Sequence, residues 1–104
     1  MSVPQIIIQQ LGRDFMRAQN PKMLIGLENA SILDKKRTSG GLKLMLKNNK
    51  QLIIELMPSD TYRVTLGKMH QNHIDWVLLE QHDDIYCDML STLCWDMLSP
   101  AMVY

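Results

Sequence analysis

Between Gly41 and Gln81 apolar and polar residues alternate with a period of two, and the alternation stops and restarts three times. Leu42-Lys43-Leu44-Met45-Leu46-Lys47 sets three leucines on one side and two lysines on the other, the pattern of a strand with one face on a core and one in water. Asn48-Asn49 follows, and asparagine tolerates the positive φ that a tight hairpin turn demands, so the chain should double back there. Leu52-Ile53-Ile54-Glu55-Leu56-Met57 then puts Leu52, Ile54 and Leu56 on one side. Pro58-Ser59-Asp60 ends that run, because proline cannot donate to a strand ladder. The third run sets Tyr62, Val64 and Leu66 against Thr61, Arg63 and Thr65, and the fourth sets Ile74, Trp76 and Leu78 against Asp75, Val77 and Leu79. Four such runs joined by short connections predict an antiparallel meander.

The flanks carry a different period. Ile7, Ile8, Leu11, Phe15 and Ala18 recur at helical spacing, with Ser2 able to cap and Pro4 tolerated in the first turn, which predicts a helix over 4–19. Gly12 weakens that helix by about 1 kcal/mol relative to alanine unless it permits a close approach. Asn20-Pro21 should end it, and Met23–Leu27 reads as a short edge strand, with Ile32 and Leu33 extending toward a loop over 34–41. After the meander, Gln81-His82-Asp83-Asp84 reads as a helix start, and Ile85, Tyr86, Met89, Leu90, Leu93 and Met97 predict a helix from Asp84 to Leu98, closed by Ser99-Pro100. The expected fold is α+β: an antiparallel four- to five-stranded meander sheet with an N-terminal and a C-terminal helix on one face.

At 104 residues the chain is expected to form a single domain over 1–104, with one core. No apolar run approaches the roughly 20 residues that span a bilayer, and the N-terminus lacks the basic and apolar stretches of a secretory signal, so a location inside the cell is expected. Formal charge sums to zero but is uneven. Residues 1–50 carry nine Lys/Arg against three Asp/Glu, and residues 51–104 carry two against eight. Whether these halves separate or interleave in space is left open by the sequence. Cys87 and Cys94 lie seven apart on the predicted helix, roughly 10.5 Å along its axis, too far for a disulfide, so free thiols are expected.

Candidate chemistry is sparse. His70-x-x-His73 and His82 lack the further ligands that a zinc site needs. Asp83 and Asp84 are adjacent and accounted for by capping, and Ser39-Gly40-Gly41 lacks the lysine and helix of a phosphate loop. Neither a catalytic residue nor a cofactor or metal is expected, and the chain reads as a non-enzyme. Two surfaces remain. Lys35, Lys36 and Arg37, with Lys43, Lys47 and Lys50, form the basic segment best suited to nucleic acid or an acidic protein, or else a solvated loop that keeps a sheet edge soluble. No aromatic residue interleaves with these lysines in the sequence, so a stacking platform for bases is not expected. Met45, Ile53, Met57, Val77 and Leu79 fall on the sheet side opposite the helices and exceed what a wet face requires, which marks them as a partner or self-association surface.

Three stretches, Gln9-Gln10-Leu11-Gly12, Pro58-Ser59-Asp60-Thr61-Tyr62 and Ile85-Tyr86-Cys87-Asp88-Met89-Leu90, together resemble a family of small uncharacterised phage and prophage proteins. That family is similar in carrying a Leu-Gly-Gly helix, a strand opening Asp-Thr-Tyr and a helix opening Tyr-Asn-Asp-Met-Leu, in this order. Here Arg13 follows a single glycine, Cys87 stands for the asparagine, and the segment between Glu28 and Gly41 is longer. The resemblance implies a mobile-element protein in the cytoplasm of a bacterial host. Its expected action is to bind a host or phage protein, an inhibitor of host defence such as CRISPR interference being one form. A nucleic-acid-binding accessory factor or a small virion component are the alternatives, and no functional residue is implied.

Overall fold

The structure, a computed structural model, describes residues 3–27, 40–69 and 76–98. Helix α1 spans Val3–Leu11 and α2 spans Arg13–Gln19. The one helix expected over 4–19 is therefore broken, and the cause is Gly12, whose φ of 94° lies outside helical space while hydrogen bonds continue across it from Gly12 N to Ile8 O and from Met16 N to Gly12 O. Asn20 ends α2 in the left-handed region, its N–H bonded to Met16 O at 2.9 Å. Ile7, Leu11 and Phe15, four residues apart, are buried, whereas Ala18 is exposed and Ser2 lies outside the described residues.

Five strands follow: β1 Met23–Leu27, β2 Gly40–Met45, β3 Lys50–Leu56, β4 Tyr62–Met69 and β5 Trp76–Ile85. They form one sheet in the order β1-β2-β3-β4-β5, every neighbour antiparallel. The fold is α+β, and the edge strand at Met23–Leu27 makes the meander five-stranded. Cross-strand rows explain the core. Leu42 faces Ile54 and Ile54 faces Val64; Leu44 faces Leu52 and Leu52 faces Leu66; Leu56 faces Tyr62 and Tyr62 faces Ile85. Against this side pack Ile7, Leu11 and Phe15 together with Leu90 and Cys94 of α3, Leu90–Leu98. Each fully buried aliphatic side chain contributes about 1.5–3 kcal/mol relative to exposure. Ser91 Oγ donates to Leu11 O at 3.1 Å and ties α3 to the C-terminal end of α1.

The last strand departs most from expectation. β5 runs through Gln81-His82-Asp83-Asp84 to Ile85, so this polar stretch is strand and not a helix cap, and α3 begins at Leu90, not at Asp84. β4 is eight residues long, and the edge strand beside it can carry charges because its outer side meets water. A turn at Tyr86–Met89, closed by Met89 N to Tyr86 O at 2.9 Å, delays the helix. The register of β5 also differs. Trp76 pairs with Met69 and Leu78 with Gly67, which places both on the side away from the helices, while Val77 pairs with Lys68 on the helix side. An irregularity between Leu66 and Gly67 inserts Leu79 as an extra residue, after which Glu80 and His82 lie on the helix side. Ile74, Ile32 and Leu33 lie outside the described residues.

Candidate binding surfaces

The sheet side opposite the helices is not a wet face. Gln51, Ile53, Glu55 and Thr65 at its centre are buried, and β5 side chains reach back onto Gln51 and Thr65. The Trp76 ring lies across Gly67, where any side chain would collide with it, and Trp76 Nε1–H donates to Gln51 Oε1 at 3.1 Å. Gln81 Nε2–H donates to Thr65 Oγ1 at 3.2 Å, and Arg63 Nε–H to Asp83 Oδ1 at 2.7 Å. The five-residue apolar surface expected here therefore does not exist as one patch. Ile53 is 0% exposed. Met45 and Met57 are half-buried at opposite ends of the sheet, Met45 beside Met23 and Met57 in the turn that its N–H closes on Thr61 O.

What stays on the surface is the start of β5. Val77, Leu78 and Leu79 are 39%, 52% and 47% exposed. Their alternation puts Val77 and Leu78 on opposite sides, so the apolar surface wraps a sheet edge instead of covering a face. Leu78 was missed by sequence reasoning, which placed it in the core; the signal that relocates it, the bulge at Leu79, has no sequence signature. β1, the other edge, exposes Met23 and Leu24 over a shorter strand.

The basic segment divides three ways. Lys35, Lys36 and Arg37 lie outside the described residues. Lys43 is half-buried on the side away from the helices, opposite Ile25 and Ile53. Lys47 is exposed in the Lys47–Asn49 turn, and Lys50 stands directly opposite Lys68. The antiparallel path gathers Lys22, Lys47, Lys50 and Lys68 at one end of the sheet, and Asp60, Asp83 and Asp84 with Arg63 at the other, so these described charges stand at opposite ends. At the basic end α3 contributes an aromatic residue after all. Trp95 joins Lys47, Asn48 and Lys50, with Ala18, Gln19, Leu46 and Leu98, around a cleft of about 430 Å³. Trp95 meets the buried Phe15 ring edge-on, centroids 5.4 Å apart at 89°.

Elsewhere polar groups hold the fold together. Ser59 and Thr61 hydroxyls share a hydrogen bond at 2.8 Å, and His82 Nε2 lies 2.9 Å from Glu80 Oε1. Asp83 is engaged by Arg63, and Asp84 sits at a left-handed φ of 58° near the end of β5, so they do not act as a facing pair. Burial pushes the Tyr62 phenol above its ordinary range, opposed by a hydrogen bond from Gln10. Both cysteines are free thiols; Cys87 is exposed, and burial pushes Cys94 up to about 12. Among the described residues no group of three His, Cys, Asp or Glu side chains could hold a metal, and no helix is long and apolar enough to cross a membrane. His70 and His73 lie outside the described residues. No family model, curated protein or solved structure matches the chain.

Proposed function

We propose that this protein is a non-enzymatic binding module that takes an extended segment of a partner protein along the edge of β5. The carrying observation is the run Val77-Leu78-Leu79, exposed on both sides of an edge strand. A flat partner would cover one side only; an added strand covers both and also takes up the outward backbone N–H and C=O groups. Glu80, Asp83 and Asp84 guard the second half of β5 with charge, which confines pairing to its first half. The resemblance to small phage and prophage proteins directs the search to host or phage proteins, with inhibition of a host defence such as CRISPR interference as the role to test first. A second copy of the chain is the competing occupant of the same edge.

The test is Leu78→Lys with Leu79→Lys, compared with the parent by circular dichroism, light scattering and pull-down from bacterial lysate. The variant should stay folded, because both residues are about half exposed, and should lose the protein that the parent retains. Identical captured proteins with parent and variant would refute the β5 edge. Ile53→Asp, by contrast, would place a charge at a fully buried position and unfold the domain.

A further inference from the structure

We propose that the basic end of the sheet holds a single strand of nucleic acid, one base resting on Trp95 and the neighbouring phosphates on Lys47, Lys50 and Lys68. This goes beyond the protein-binding edge and uses different residues. Lys50 and Lys68 face each other directly across β3 and β4, a like-charge pair that costs stability unless an anion lies between them. No carboxylate lies within ion-pair distance of Lys22, Lys47, Lys50 or Lys68 among the described residues.

Helix ends do not account for the four charges. The C-terminal ends of α2 and α3 reach the cleft through Gln19 and Leu98, and each helix end carries only about half a negative charge. Together they offset about one lysine of the four. Of the four, Lys47 and Lys50 line the cleft beside Trp95, Leu46, Leu98 and Ala18, while Lys22 lines the adjoining cavity and Lys68 stands across the ladder from Lys50. Ammonium groups beside an aromatic and apolar wall match a nucleotide, whose base stacks and whose phosphate takes the charge. Trp95 is 39% exposed and braced by the fully buried Phe15, so its ring is ordered before a ligand arrives.

The track is longer than one nucleotide. A second cavity of about 150 Å³ shares Leu46 and Lys50 with the cleft and continues to Lys22 and Met69. A strand with unpaired bases is favoured over a duplex, because base pairing and stacking hide the flat face that Trp95 would take.

The experiment is fluorescence anisotropy of a labelled oligothymidylate with the whole protein, titrated between about 50 and 200 mM salt. The parent should bind, with affinity falling steeply as salt rises. Lys47→Gln with Lys50→Gln should weaken binding at least tenfold and lower the slope of log affinity against log salt by about 1.4, at about 0.7 per phosphate contact. Trp95→Ala should weaken it by about tenfold to a hundredfold, and Trp95→Phe, which keeps the contact with Phe15 and a stacking ring, should restore most of it. Melting curves of each variant confirm that the fold persists. Absence of binding at low salt, or unchanged affinity and slope in the lysine variant, would overturn the proposal. Equal affinity for adenosine monophosphate and the oligonucleotide would also overturn it, reducing the site to one for a free nucleotide.

Discussion

Gly67 and Trp76 show how one residue sets the use of a whole sheet side. With a bare Cα at Gly67 the indole lies across β4 and bonds Gln51; with a side chain there it cannot. Gly67→Ala should therefore destabilise by about 1–3 kcal/mol, the range for overpacking, measured by urea unfolding. An unchanged midpoint would mean that the ring lies elsewhere. Cys94 gives a second handle, through pH. Its thiol is held neutral by burial, shifted from 9.0 to about 12, so the folded state favours the protonated form more than the unfolded chain does. That contribution is complete below pH 9 and is lost as pH rises through the window from 9 to about 12. On the order of 1 kcal/mol should be gone by pH 10, and Cys94→Ala should remove this part of the alkaline slope. The sequence carried neither the place of Trp76, which read as core from its alternation with Val77, nor the break at Gly12, which read as a weak position inside one helix.

At the level of elements, the strands with clean alternation were legible and those needing an irregularity were not. Leu42, Leu44, Leu52, Ile54, Val64 and Leu66 fall where a period of two puts them, because β2, β3 and β4 pair without interruption across these rows. β5 was not legible. A bulge shifts the phase by one residue at Leu79, and periodicity read straight through it exchanges the two sides. The start of α3 failed for a related reason: Asp83 and Asp84 suit both a helix N-terminus and a charged edge strand, and only the pairing of the flanking His82 and Ile85 with Val64 and Tyr62 of β4 decides. The left-handed pair at the β2–β3 hairpin was legible, although the turn also takes in Lys47, which read as strand. Asn48 and Asn49 sit at φ of 60° and 62°, a region that β-branched side chains avoid. Replacing both by valine should lower stability by about 1–2 kcal/mol in thermal or urea unfolding. No change would show that this turn is not left-handed.

Across the whole molecule, the sequence held the charges but not their arrangement. Trp95 is 45 residues from Lys50, and only the packing of α3 on α1 and the sheet brings it to the hairpin turn. The five apolar positions proposed from alternation likewise dispersed once β5 crossed the sheet side they were meant to share, leaving the edge at Val77 to Leu79 as the exposed remainder. Binding along β5 requires that edge to be open in the free protein and filled in the bound one. Amide hydrogen exchange, read residue by residue on the free protein and on its complex with the captured partner, addresses this directly. Exchange at the outward-facing amides between Trp76 and Glu80 should be fast in the free protein and slow in the complex, with α1 and α3 unchanged. Slowing confined to the helices, or equal exchange along β5 in both samples, would contradict it.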